Sequence, residues 1–316
     1  MENKTDRILN EVEKAIIGKD DVVQKVLTSI LSNGHILLED VPGVGKTTLA
    51  VAFSRALGLD YERMQFTSDS VPSDITGFSV PGQNSDDFIY RPGSAMTNLL
   101  LADEINRASS KTQSALLEVM EERQVTVDGV TRPVPAPFIV IATQNPAEGF
   151  EGRKNLPPSE LDRFMIRLRM GYPDHNSLID ILRDRHEGNP LDTINQVTDK
   201  HDILKMQKEV SALYVSDSVY DYITSLSEET RKNEDIALGI SPRAALALCR
   251  MSKARAYLEK RDYVIPEDVS AVFADTCAHR LTLSAEARMS RTNPAKILKD
   301  ILKKVPMPVT SFREKA

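Results

Sequence analysis

Tryptophan is absent from this 316-residue chain and aromatic side chains make up 5% of it, so an apolar interior must be built largely from aliphatic residues. Cysteine is nearly absent too. The two that occur, Cys249 and Cys277, each fall within a helical pattern and read as small buried residues of a reducing compartment. No Cys-x-x-Cys or His-x-x-x-His spacing suggests a structural metal. There is no basic excess: 40 Lys and Arg stand against 46 Asp and Glu, for a formal net charge of −6, and the cations are scattered. Their densest run, near Lys303 and Lys304, reads as the solvated end of a helix. A general nucleic-acid binder shows a basic excess or stripe, so nucleic acid is not the expected partner, although an acidic balance still allows a basic channel inside a ring. Long apolar runs are also missing. The longest span about five residues, far short of the roughly 20 that cross a bilayer. The N-terminal stretch is charged from its start, unlike a signal peptide. The expectation is a cytoplasmic protein without membrane insertion.

What remains is ordinary for a globular protein, with 41% hydrophobic and 27% charged residues in a length that suits one large or two moderate domains. Val22, Val23, Val26, Leu27, Ile30 and Leu31 have helical spacing, ended by Asn33-Gly34. His35–Leu38 is an apolar run of strand length. A glycine-rich turn follows, then a helical pattern from Thr47 to Leu57, stopped by Gly58. Strand, turn and helix in that order open a βαβ unit. Further strands are expected at Leu99–Ala102, Phe138–Ala142 and Phe164–Met170, with a helix at Lys111–Glu122. Strands separated by helices argue for a mostly parallel sheet covered on both faces.

Two stretches break the rhythm and read as projecting insertions. Residues 72–95 are rich in Pro, Gly, Ser and Asp, with apolar pieces at Phe78–Val80 and Phe88–Tyr90. Residues 124–132 alternate around Asp128-Gly129, a pair suited to a type I′ hairpin turn. From about residue 191 onward only helical periodicity is present, with Ser241-Pro242 and Asn293-Pro294 as N-cap and N1 pairs. The chain therefore divides, on composition, into an α/β domain over 1–190 and a smaller all-helical domain over 191–316, with no internal repeat or low-complexity tract.

The chemistry-bearing residues lie at the ends of the expected strands. The first run is Leu37-Leu-Glu-Asp40 followed by Val41, Pro42, Gly43, Val44, Gly45, Lys46, Thr47 and Thr48. Binding a triphosphate needs backbone N–H groups aimed inward at a helix N-terminus, and glycine lets the chain approach closely. Lys46 supplies an ammonium for the β/γ-phosphates and Thr47 a hydroxyl for Mg²⁺. The strict phosphate-loop pattern has Gly where this chain has Asp40, and Asp tolerates left-handed backbone better than most residues. In Asn98-Leu-Leu-Leu-Ala-Asp-Glu104, a buried strand delivers two carboxylates at its carboxyl end, where ligands sit in such sheets. Asp103 is the candidate to hold Mg²⁺ through water, and Glu104 to polarise the attacking water. In Phe138-Ile-Val-Ile-Ala-Thr-Gln-Asn145, another apolar strand ends in a polar group that can reach a γ-phosphate or its water. Arg163, in Leu161-Asp-Arg-Phe164, suits either an ion pair or a phosphate contact. Arg243, in Gly239-Ile-Ser-Pro-Arg243, stands in a helical first turn where a cation opposes the helix dipole, which suits a phosphate partner as well as a surface position.

Together these motifs resemble the AAA+ ATPases and, within them, the MoxR family. Ser68-Asp-Ser-Val-Pro-Ser-Asp-Ile-Thr-Gly77, Leu100-Leu-Ala-Asp-Glu-Ile-Asn-Arg-Ala108, Ala142-Thr-Gln-Asn-Pro146, Leu161–Phe164, Ser241-Pro-Arg-Ala244 and Ile301-Leu-Lys-Lys-Val-Pro306 are all similar to that family, over nearly the whole chain. The resemblance implies a P-loop core with a parallel sheet flanked by helices, plus a helical lid. It implies Asn145 as sensor 1, Arg163 as an arginine finger reaching a neighbour's ATP, Arg243 as sensor 2, and adenine contacts near Ile17 and Gly18. Lys19 stands where the family usually has Gln, and Leu156-Pro-Pro-Ser-Glu160 where it usually has Pro-Glu-Ala. Residues 72–95 are implied to be the family's helix-2 insertion and 124–132 its hairpin before sensor 1. The activity implied is hydrolysis of ATP with Mg²⁺ by a homo-oligomeric ring, a hexamer, acting chaperone-like on a protein client, with the von Willebrand A type as the candidate class of partner. A nucleic-acid motor of the same clade is the alternative. Asn3-Lys-Thr-Asp6 matches a guanine-reading pattern but precedes the phosphate loop with no strand before it, and is taken as chance.

Overall fold

A computed structural model describes the chain over residues 3–82, 88–145 and 156–308, including all side chains there except those of 184–187. Pro146 and the tip of the first insertion, 83–87, lie outside the described residues. The elements of the α/β part are α1 (Lys4–Glu13), α2 (Asp20–Leu31), β1 (Ile36–Glu39), α3 (Lys46–Leu57), β2 (Tyr61–Gln65), α4 (Pro72–Thr76), β3 (Phe78–Pro81), β4 (Phe88–Arg91), β5 (Leu99–Asp103), α5 (Ser110–Glu122), β6 (Gln124–Val127), β7 (Val130–Pro133) and β8 (Ile139–Gln144). After them come α6 (Pro158–Leu161), β9 (Ile166–Leu168), α7 (His175–Glu187), α8 (Lys200–Ala212), α9 (Asp217–Lys232), β10 (Ile236–Leu238), α10 (Pro242–Leu258), α11 (Pro266–Cys277), β11 (Thr282–Leu283), α12 (Ala285–Met289) and α13 (Pro294–Lys304).

The main sheet has the order β2-β5-β8-β1-β9, and the pairings β2–β5, β5–β8 and β8–β1 are parallel. Every residue of β5 and β8 is buried, as expected of central strands covered on both faces, and this is why both read as unbroken apolar runs. Register sets the site. Leu101 pairs with Ile141, Glu39 with Gln144, and Gln65 with Asp103, so the carboxyl ends of β1, β2, β5 and β8 finish together. α3 carries the chain from β1 across to β2 at the far edge, while β9 lies on the other side of β1. The strand order reverses at β1, and the crevice outside such a switch point is where ligands bind.

Both insertions contain antiparallel hairpins, β3–β4 and β6–β7. The second turns on Asp128 (φ 52°) and Gly129 (φ 75°), the two left-handed residues of a type I′ turn. The guanidinium of Arg132 lies 4.1 Å from the ring centroid of Tyr90, joining the two hairpins.

The chain divides into two compact units, 1–156 with 168–205, and 157–167 with 206–316. The second is helical apart from the small antiparallel pair β10–β11. Its core joins α10, through Ala244, Leu248 and Met251, with Val269 and Phe273 of α11 and Leu298 of α13. The expected caps are in place: Ser241 Oγ accepts from Ala244 N at 3.1 Å and Asn293 Oδ1 from Ala295 N at 2.9 Å. Of the cysteines, Cys277 is buried, which pushes its thiol up to about 12. Lys303 and Lys304 pair with Asp300 and Glu229 at the end of α13. Among the described residues no helix is long and apolar enough to cross a membrane.

Candidate nucleotide-binding and catalytic site

The loop after β1 is shaped by Gly43 and Gly45, with φ of 86° and 96°, a region that a side chain makes costly. Gly45 is the N-cap of α3, so the N–H groups of Lys46, Thr47 and Thr48 belong to the helix's open N-terminal turn. Asp40 is not among the residues with positive φ. The sequence expectation that it survives there by adopting left-handed backbone is therefore corrected. Its carboxylate instead accepts from the N–H groups of Val41, at 2.9 Å, and Gly171, a use that glycine cannot serve.

Lys46 is 8% exposed, and its ammonium donates to the Asp40 carbonyl at 2.7 Å and to Asn145 Oδ1 at 3.1 Å. Asn145 in turn donates through Nδ2 to Glu104 Oε1 at 2.5 Å. Glu104 stands in left-handed backbone, φ 58° and ψ 46°. Non-glycine residues persist there only when the surroundings hold them, and such strain concentrates at functional sites. The holding contacts are the Glu104 N–H donating to Thr143 Oγ1 at 2.9 Å, and Arg107 and Gln65 donating to Oε2 at 2.7 and 3.2 Å. Asp103 accepts from Thr143 Oγ1 at 2.6 Å and from Arg63 at 2.7 Å; that carboxylate holds the Arg63 guanidinium above its usual pKa.

These groups face one cavity of about 420 Å³, lined on one side by Pro42, Gly43, Gly45, Lys46, Thr47 and Thr48, and on the other by Arg63, Gln65, Asp103, Glu104 and Asn145. A second cavity of about 360 Å³ shares Gly43, Gly45 and Thr48 and is walled by Ile16, Ile17, Val44, Met170, Tyr172 and Leu178. A polar cavity beside an apolar one fits the two halves of a nucleotide, polyphosphate and base. Gly18 lies beside the apolar cavity with φ of 70°; a Cβ there would stand 2.0 Å from Ser177 Oγ, so glycine is required. Lys19, the departure from the family's Gln, also lines that cavity, with its ammonium on the Tyr172 carbonyl at 2.8 Å. For Mg²⁺, the donor set of one hydroxyl (Thr47) and one carboxylate (Asp103) suits a hard cation that keeps several waters and takes its other ligands from phosphate.

Arg163 and Arg243 both belong to the second unit. Arg243, in the first turn of α10, has its Nε 3.9 Å from Asp162 Oδ2, so a protein carboxylate already answers part of its unfavourable placement on the helix dipole. Asn3 and Lys4 open α1, and Lys4 pairs with Asp202 at 2.7 Å, an arrangement that needs no guanine.

Sequence reasoning missed Arg63, Gln65, Arg107 and Thr143. Arg107 lies three residues beyond Glu104 and was within reach of a spacing argument. Arg63 and Gln65 become visible only once β2 is paired with β5.

Two family models match the chain. One is described as the ATPase family associated with various cellular activities (AAA), over residues 35–166, and the other as the AAA lid domain, over residues 228–301. The chain is 39% identical over 312 residues to the chaperone MoxR1 of Mycobacterium tuberculosis, covering 96% of this chain and 82% of that one. It is 30% identical to the protein MoxR of Methylorubrum extorquens, covering 95% and 92%. A solved structure from Cytophaga hutchinsonii, described as that of a candidate ATPase, superposes with a TM-score of 0.90 at 37% identity over 97% of this chain and 95% of that one. Matched along nearly its whole length in sequence and in fold, the chain belongs to the MoxR family of AAA+ ATPases.

Proposed function

We propose that this protein hydrolyses Mg²⁺-bound ATP in the cavity between the phosphate loop and the ends of β5 and β8, and that it does so as a homo-oligomeric ring that remodels a protein client. The convergence of Lys46, Asp103, Glu104 and Asn145 on one cavity carries the reading. Lys46 and the first-turn amides of α3 bind the β/γ-phosphates. Thr47 and Asp103 would hold Mg²⁺, which when bound neutralises charge on the phosphate oxygens. Glu104 orients and deprotonates the attacking water. Asn145, donating to Glu104 and accepting from Lys46, couples the water-activating carboxylate to the phosphate-binding cation. The base occupies the apolar cavity near Ile17 and Gly18.

Arg163 is assigned as the finger acting on a neighbouring protomer's ATP, and Arg243 as a second phosphate contact. The chaperone name of the Mycobacterium relative supports a protein client, and a partner of the von Willebrand A type is included in this reading. The net charge of −6 counts against a nucleic-acid motor. A ring predicts that specific ATPase activity rises with protein concentration. An arginine finger can be worth about 10³–10⁵ in rate, so Arg163→Ala should be nearly inactive alone. Mixing it with Glu104→Gln subunits should restore activity, because one intact site is assembled from the two. Activity independent of concentration down to the nanomolar range would argue for a monomeric enzyme and against the finger role of Arg163.

A further inference from the structure

The chain is gripped on both sides of Arg163. On one side the Phe164 carbonyl accepts from the Arg280 guanidinium at 2.7 Å, with His279 Nε2 3.1 Å from the same oxygen. On the other, the Asp162 carboxylate lies 3.1 Å from Arg280 through Oδ1 and 3.9 Å from Arg243 through Oδ2. Arg280 and His279 sit on the short 3-10 turn Ala278–Arg280, directly after α11 and its fully buried Phe273 and Cys277.

The two side chains differ in exposure. That of Arg280 is 4% exposed and that of Asp162 22%. Burying a guanidinium is costly unless a carboxylate and hydrogen-bond acceptors compensate it, and here burial pulls the Arg280 pKa down. An uncharged apolar side chain at this place would not carry that cost. The compensating partners of Arg280 include the two residues that flank Arg163, Phe164 by hydrogen bond and Asp162 by charge, beside His279 Nε2, which accepts from Arg280 Nε at 3.3 Å. A guanidinium suits this, since its planar fork can serve a carboxylate and a carbonyl at once, which an ammonium does less well.

We propose that Arg280 is a positioning residue for Arg163: it clamps Asp162 by charge and Phe164 by its carbonyl, and so fixes the direction in which the Arg163 side chain leaves the chain. Asp162, shared with Arg243, ties the second arginine to the same anchor. The clamp acts within the second unit and leaves the phosphate loop untouched. The inference rests on the finger role of Arg163 given above, and the experiment separates the two.

Four variants are compared: Asp162→Asn, which keeps shape and removes the charge, Arg280→Lys, Arg280→Gln and Arg163→Ala. Each is measured for binding of a fluorescent ATP analogue, for kcat and KM, for thermal unfolding, and for recovery of turnover on mixing with Glu104→Gln subunits. A misplacement of 1 Å can cost about 10²-fold in rate. Asp162→Asn should therefore lower kcat about ten- to a hundredfold, and should recover on mixing as Arg163→Ala does. Arg280→Lys should fall between wild type and Arg280→Gln. If Arg280→Gln fails to fold, Asp162→Asn decides. Wild-type kcat in Asp162→Asn beside an impaired Arg163→Ala overturns the clamp alone. A defect in Asp162→Asn that Glu104→Gln subunits do not rescue lies in the variant's own site and also overturns it. Wild-type kcat in Arg163→Ala overturns the finger role and the clamp together.

Discussion

On the proposed assignment, replacing Glu104 by glutamine should separate hydrolysis from binding. Three donors hold its carboxylate: Asn145 Nδ2 at 2.5 Å on Oε1, and Arg107 at 2.7 Å and Gln65 at 3.2 Å on Oε2. Glutamine matches the shape but turns one oxygen into an NH₂ group, which sets a donor against a donor on one side. It also removes the basicity that takes a proton from water. General-base catalysis is worth about 10²–10⁴-fold, or roughly 2.7–5.4 kcal/mol of barrier at 1.36 kcal/mol per tenfold. On that assignment binding rests on Lys46 and the α3 amides, which Glu104 does not touch directly, Asn145 standing between it and Lys46, so nucleotide affinity should stay near wild type while turnover falls by that factor. Lys46→Ala should show the opposite and lose binding. The assays are coupled ADP release, equilibrium binding of a fluorescent ATP analogue and a melting curve on the same preparations. Wild-type turnover in Glu104→Gln would falsify its role as base. A parallel loss of binding and melting temperature would show instead that these three carboxylate contacts are structural.

Three further outcomes can be checked independently. Gly18→Ala places a Cβ 2.0 Å from Ser177 Oγ at φ of 70°. It should destabilise the fold by about 1–3 kcal/mol, and Ser177→Gly in the same chain should recover the steric part; an unchanged melting temperature in Gly18→Ala would refute the close approach. His35 is fully buried, with burial and nearby Arg123 holding its pKa well below 6.5, and it accepts from Val140 N through Nδ1 at 3.0 Å. Only the unfolded chain takes up this proton near pH 6.5, so stability should be full above that pH and fall below it, by up to about 1.4 kcal/mol per pH unit for this group. His35→Gln should reduce that slope between pH 6.5 and 5 without abolishing it, since burial also holds the His279 pKa well below 6.5, and an equally steep slope in the variant would assign it elsewhere. The β3–β4 hairpin exposes Phe88 by 72% and Phe78 by 51%. Exchanging 78–90 for a Gly-Ser linker should preserve ATP binding and abolish stimulation of turnover by a co-purified client, whereas a collapse in melting temperature would mean that the hairpin serves packing.

Much of the site could be read along the chain because its parts are local. β1, the glycine turn and α3 follow one another without interruption, so strand, turn and helix N-terminus are recognisable in sequence. β5 over Leu99–Ala102 and β8 over Ile139–Ala142 are apolar because both their faces are covered, and their polar ends are conspicuous by contrast. Asp128-Gly129 and the Ser-Pro and Asn-Pro caps are short-range signals that the fold uses as expected. Non-local features were harder. α1 buries Thr5, Ile8 and Val12, and its apolar residues are only Ile8, Leu9 and Val12, too few to announce a helix. The grip of His279 and Arg280 on Phe164 joins residues more than a hundred positions apart, and no periodicity encodes that. Asp40 was placed correctly in the loop, but its reason for being there, side-chain hydrogen bonds to Val41 and Gly171, needs the fold.

β2 shows why reading fails where it does. Tyr61-Glu62-Arg63-Met64-Gln65 has the length of a strand but neither an apolar run nor a clean alternation, and it leaves Glu62, Arg63 and Gln65 exposed at the sheet edge. Its pairing with β5 puts Arg63 opposite Leu101 and Gln65 opposite Asp103. Being two residues apart, Arg63 and Gln65 project from the same face, and from there one reaches Asp103 at 2.7 Å and the other Glu104 at 3.2 Å. Apolar residues at those two positions would have made the strand legible and left both carboxylates without these donors. The polarity that hides β2 from a pattern search is thus the same polarity that serves the site, consistent with the expectation that local rules are broken where function requires it. An edge strand can bear this, because its outer side faces solvent and polar side chains there cost little burial. The same residues in β5 or β8, covered on both faces, would each require a buried partner.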